Sequence, residues 1–142
     1  MDEIIKPNEV DLRLIIIDFE DITHDDITLM TGVKPTYIRT KGQPRNPKQV
    51  DSPLWPNNLW SMNSGLGVHA SFEDQMNRLL DIIENNIEVF NNLCSKYYCE
   101  FACALMVYKD NGESTPSVHL DERYNQVVKT LNIEFDIDLY VF

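Results

Sequence analysis

Val10-Asp11-Leu12-Arg13-Leu14-Ile15-Ile16-Ile17-Asp18-Phe19 is the stretch on which the fold turns. Leu12, Leu14 and Ile16 alternate with Arg13, Ile15 and Ile17, and because successive side chains of a strand point to opposite faces, even and odd positions build two different surfaces. The β-branched run favours a central strand. The same period returns in residues 99–108, with Cys99, Phe101, Cys103, Leu105 and Val107 on one face and Glu100, Ala102, Ala104, Met106 and Tyr108 on the other. It returns again over residues 135–142, where Phe135, Ile137, Leu139 and Val141 alternate with Asp136, Asp138 and Tyr140. Thr36–Thr40 and Leu59–Asn63 read as two shorter strands.

Helical spacing fills the intervals. Thr23 can cap a short helix with Asp25 and Asp26 in its first turn, where the helix dipole favours anions, and Gly32 ahead of Pro35 is a stop signal. Ser71 opens the clearest helix, along which Phe72, Met76, Leu79, Leu80, Ile83, Ile87, Phe90, Leu93, Cys94 and Tyr97 follow the three-and-four spacing of an apolar stripe. Asn85-Asn86 is a point at which it can break. Asp121 can cap a last helix that uses Tyr124, Val127, Val128 and Leu131. The order predicts an α+β chain forming one domain over residues 1–142. The expected architecture is a ferredoxin-like α/β sandwich, with a mixed or antiparallel sheet, helices on one face and an added C-terminal helix-strand unit. Leu14, Ile16, Leu79, Ile83, Phe101, Leu105, Ile137 and Leu139 are the expected core. Lys41–Asn58, interrupted by Gly42, Pro44, Pro47, Pro53 and Pro56, reads as a long loop, which in a small domain is functional or mobile.

Several short motifs resemble a known family. They are Val33-Lys34-Pro35-Thr36, Lys41-Gly42, Trp60-Ser61, the amphipathic helix and the ending Leu131-Asn132-Ile133-Glu134-Phe135-Asp136-Ile137-Asp138-Leu139-Tyr140. Over roughly residues 10–142 the chain is similar to the bacterial family catalogued as domain of unknown function 4279. The resemblance implies a bacterial, intracellular, usually stand-alone domain with no assigned activity, and it carries over no catalytic residue. The proline-rich basic insertion after Gly42 departs from the family pattern.

Composition narrows the function classes. Hydrophobic residues make up 43% and charged residues 25%, as in a globular protein. Twelve Lys and Arg against 23 Asp and Glu leave a formal net charge of −11. General binding to nucleic acid or an anionic membrane needs the opposite surplus, so a basic protein is the partner that fits. The positive charge is concentrated: Lys34, Arg39, Lys41, Arg45 and Lys48 lie in a stretch free of acids between residues 27 and 50. Met1-Asp2-Glu3-Ile4-Ile5-Lys6-Pro7 has neither the basic start nor the apolar run of a secretory signal, and the expected location is cytoplasmic. Cys94, Cys99 and Cys103, odd in number and set in apolar segments, read as reduced thiols.

The chain lacks a Gly-rich phosphate loop, a dinucleotide fingerprint, a metalloprotease helix and a paired Cys-x-x-Cys, which weakens an enzymatic reading. No catalytic residue, metal or cofactor is assigned from sequence. Two surfaces stand out. On the first, Asp136, Asp138 and Tyr140 share one side of the last strand, with Glu100 and Arg13 able to join them and Ala102 and Ala104 leaving shallow room. Such a face suits acid–base chemistry or simply faces water. On the second, Lys41 and Arg45 lie near Trp55 and Trp60, a mixture that can hold phosphate, a nucleotide or a protein, although either Trp can instead anchor the loop. The leading expectation is a non-enzymatic interaction protein, with a toxin-neutralising, immunity-like role as one version. The alternative is a small-ligand or enzymatic domain that uses the open sheet face with the basic loop as a lid.

Overall fold

The computed structural model describes residues 5–142; Met1–Ile4, part of the segment read above for a leader, lie outside the described residues. Five strands, β1 (Glu9–Ile17), β2 (Tyr37–Arg39), β3 (Leu59–Asn63), β4 (Tyr98–Val107) and β5 (Glu134–Val141), form one mixed sheet in the order β2-β3-β1-β4-β5. β1 runs antiparallel to both β3 and β4, β2 runs antiparallel to β3, and β5 lies parallel to β4. Among the described residues four helices accompany it: α1 (His24–Thr31), α2 (Phe72–Asn85), α3 (Ile87–Lys96) and α4 (Glu122–Val127).

Local chemistry places these boundaries. Thr23 and Asp26 form a reciprocal capping box at the start of α1, and Gly32, with φ of 69°, ends it in the left-handed region. Ser71 Oγ accepts from the Asp74 N–H at the start of α2. The stripe does break at Asn86, whose non-helical backbone (φ −140°, ψ 42°) separates α2 from α3 while its side chain donates to the Thr31 carbonyl of α1 at 3.1 Å.

The two-faced reading of the strands holds for β1 and β4. Val10, Leu12, Leu14 and Ile16 are buried, as are Cys99, Phe101, Cys103 and Leu105, and they share a core with Phe72, Leu79, Leu80, Ile83 and Phe90 from the helices. The three thiols are unpaired and buried. Burial pushes the Cys103 thiol up to about 11.

β5 corrects the expected core. Ile137 and Leu139 are 44% and 59% exposed, although they register beside the buried Cys103 and Leu105. The cause is coverage. Phe135 packs against Phe72, Phe101 and Tyr124 with ring centroids 5.9–6.5 Å apart, but α4 is only six residues long and a 3-10 turn over Val128–Thr130 then leads the chain back to the sheet. The helical layer therefore ends over the first part of β5. Among the described residues, no helix is long and apolar enough to cross a membrane.

Candidate functional site

Strand parity assembles the acidic half of the site. Because Leu12 and Leu14 face the core, Glu9, Asp11, Arg13 and Ile15 face the other way; the β4 register adds Tyr98, Glu100, Ala102, Ala104 and Met106, and that of β5 adds Glu134, Asp136, Asp138 and Tyr140. Rows cross the three strands as Arg13–Ala102–Asp136 and Asp11–Ala104–Asp138. Two strand spacings separate their ends, roughly 10 Å, so the alanines floor a shallow trough between polar walls. Arg13 does not reach across it. Its Nε and Nη2 instead donate to the two carboxylate oxygens of Asp11, each at 2.9 Å, and this bond to Asp11 holds the guanidinium pKa above its ordinary value. Tyr98 donates to Glu100 Oε2 at 2.8 Å, and that hydrogen bond, with smaller contributions from desolvation and the surrounding carboxylates, pushes the phenol up to about 12. On these three strands six carboxylates thus share the face with one guanidinium, itself already paired. The structure brings Arg13, Glu100, Asp136, Asp138 and Tyr140 together as the sequence suggests, and adds Asp11, whose i, i+2 spacing to Arg13 was the available signal.

The basic half lies at the opposite edge. The segment after β2 is not featureless: the Gly42 N–H donates to the Trp55 carbonyl at 3.0 Å, the Trp55 N–H to the Gln43 carbonyl at 2.9 Å and the Arg45 N–H to the Pro53 carbonyl at 2.8 Å. These bonds close a short two-stranded arm. Prolines confine it to that length, since Pro44 and Pro53 have no N–H to extend a ladder. At its base the half-buried Trp55 ring is flanked by two guanidiniums, Arg39 with its central carbon 4.2 Å from the ring centre and Arg45 at 4.9 Å. Arg39 also donates to Tyr37 Oη at 3.2 Å.

Two of the sequence candidates leave this surface. Lys41 forms an ion pair with Glu20, and its N–H donates to Asn58 Oδ1 at 2.8 Å, so it fastens the arm to the body. Trp60 takes the anchoring alternative and is not a surface residue: it is fully buried on the helical side of β3, and its Nε1–H donates to Thr28 Oγ1 at 3.1 Å. Arg39 and Tyr37 were not singled out from sequence as members of the site, because only the folding of the arm brings Trp55 back to β2.

The profile of a family described as Domain of unknown function (DUF4279) matches residues 8–142. No curated protein and no solved structure matches the chain. The match covers nearly the whole sequence, and the chain belongs to that family.

Proposed function

We propose that this member of the DUF4279 family is a non-enzymatic protein-interaction domain of the bacterial cytoplasm whose acidic sheet face docks a basic partner. The observation that carries it is the gathering of Glu9, Asp11, Glu100, Glu134, Asp136 and Asp138 on one side of three adjacent strands, with Arg13 already bonded to Asp11. Clustered charge of one sign raises the local potential beyond what the same charges scattered would produce, and so accelerates encounter with an oppositely charged protein. An immunity-like role, in which the partner is a basic toxin, is one specific form. The strand order β2-β3-β1-β4, with neighbouring strands antiparallel, supports a ferredoxin-like unit to which α4 and β5 are added.

The test is affinity capture at low salt followed by on-rate measurements on the captured basic protein. The rate is expected to fall by about tenfold or more between low and physiological ionic strength, and comparably in Asp136→Lys/Asp138→Lys. An on-rate indifferent to both changes removes the acidic face as the docking surface.

A second reading, a small anionic ligand held at the basic arm, is favoured by the flanking of Trp55 by Arg39 and Arg45. Titration with inorganic phosphate and with a nucleotide while following tryptophan fluorescence tests it. A saturable change lost in Arg39→Ala/Arg45→Ala is the expected result for that reading.

A further inference from the structure

We infer that β5 is a docking edge whose occupant is an extended segment of a basic partner protein, one in which Lys or Arg alternates with apolar residues. The inference rests on the acidic-face function proposed above and specifies how the partner sits.

β5 is the outermost strand on its side of the sheet, so the backbone groups along its outer edge meet no further strand among the described residues. Such an edge is a template for strand addition unless it is kept short, bulged, interrupted by proline or covered, and charge along it limits which strands can add. β5 is eight residues long and contains no proline. Its two sides differ in chemistry. Glu134, Asp136 and Asp138 are exposed on the open face, while Ile137, Leu139 and Val141 are 44%, 59% and 52% exposed on the helical side, beyond the reach of α4. The apolar groups recur at every second residue, roughly 6.6 Å apart, and so form a row and not a scatter.

An added strand alternates in step with β5. Its residues beside Asp136 and Asp138 lie on the acidic face, and those beside Ile137 and Leu139 lie on the apolar one. Complementarity then calls for a cation and a hydrophobe in turn. Charge also separates this occupant from a second copy of the chain. Antiparallel pairing of two β5 strands centred on Asp136, Ile137 or Asp138 sets a carboxylate directly opposite a carboxylate, which is destabilising. The apolar row invites a strand, and the acidic row selects which one.

The experiment uses isotope-labelled full chain and two short blocked peptides of identical composition, one alternating lysine with valine and one with the lysines and valines segregated. The expected result is saturable shifts of β5 amides and slowed hydrogen exchange over residues 134–141 with the alternating peptide. Its affinity should exceed that of the segregated control by about tenfold. Asp136→Lys/Asp138→Lys and, separately, Leu139→Ser should each weaken it. Equal binding of both peptides without protection of β5 overturns strand addition while leaving the acidic face as a docking surface. Binding of neither overturns it too, and the salt-dependent on-rate of the captured protein then reports separately on the acidic face. Protection of β5 that grows with protein concentration in the absence of peptide overturns it in favour of a second copy.

Discussion

The Gln75 side-chain amide donates to the Val10 carbonyl at 2.7 Å, and with this bond a helix takes the place of a strand. β3 pairs with β1 only over Arg13–Ile17, so the first part of β1 has no strand partner on the side away from β4. Gln75 is 2% exposed on α2, and its oxygen accepts from the Leu12 N–H at 3.3 Å as its nitrogen serves Val10. Val68 supplies a further carbonyl to the Val10 N–H. The exposed backbone edge of a central strand is thereby closed without another strand.

Gln75→Leu is expected to destabilise the fold by about 1–3 kcal/mol for each backbone group it leaves buried and unpaired. Gln75→Glu keeps the acceptor for Leu12 but loses the donor to Val10, so it should not restore stability. Urea unfolding of the two variants beside the unmodified protein checks this.

Truncation should separate the two halves of the apolar pattern. Leu14→Ala and Phe101→Ala, at fully buried positions, are expected to cost about 2–5 kcal/mol. Ile137→Ala and Leu139→Ala, at 44% and 59% exposure, should each cost less, under about 1.5 kcal/mol, since roughly half of each side chain stays in water on folding. Equal shifts of the urea midpoint for both pairs would contradict the placement of β5.

Ser61 offers a test of opposite sign. Its hydroxyl is buried between Ile15 and Tyr37 on neighbouring strands and has no hydrogen-bond partner among the described residues. An unpaired hydroxyl loses its hydration with no return, so Ser61→Ala is expected to leave the urea midpoint unchanged or raise it. A fall of about 1 kcal/mol or more would reveal a bond that the geometry does not contain.

The Tyr97 and Tyr98 phenols are pushed up to about 12 from an ordinary value of 10, chiefly because each donates to a carboxylate, Asp21 and Glu100 respectively. A raised pKa in the folded state means that the folded protein keeps protons which the unfolded chain has released. The stability these bonds contribute is therefore whole below pH 10 and lost as pH rises through about 12. Alkaline titration of tyrosinate absorbance should show three late-ionising phenols, those of Tyr97 and Tyr98 and that of Tyr124, which burial raises. One late step should disappear in Tyr97→Phe and another in Tyr98→Phe.

Much of this molecule was legible along the chain, because strand parity and helical spacing are properties of consecutive residues. Alternation in residues 10–17 and 99–107 identified which side chains face the core. The same parity grouped Arg13, Glu100, Asp136, Asp138 and Tyr140 before any strand order was known, and Asn85-Asn86 marked the interruption between α2 and α3. Alternation also separated two sides of β5, but it could not say that the apolar side would go uncovered. That depends on where a six-residue helix lands relative to an edge strand, a matter of packing between segments. The pairing of Lys41 with Glu20, the flanking of Trp55 by Arg39 and Arg45, and the bonds from Gln75 to β1 likewise join residues far apart in the chain. Local sequence determined which face each residue would present; only the tertiary structure decided what stood opposite it, because burial and pairing are set by whichever distant segment folds against that face.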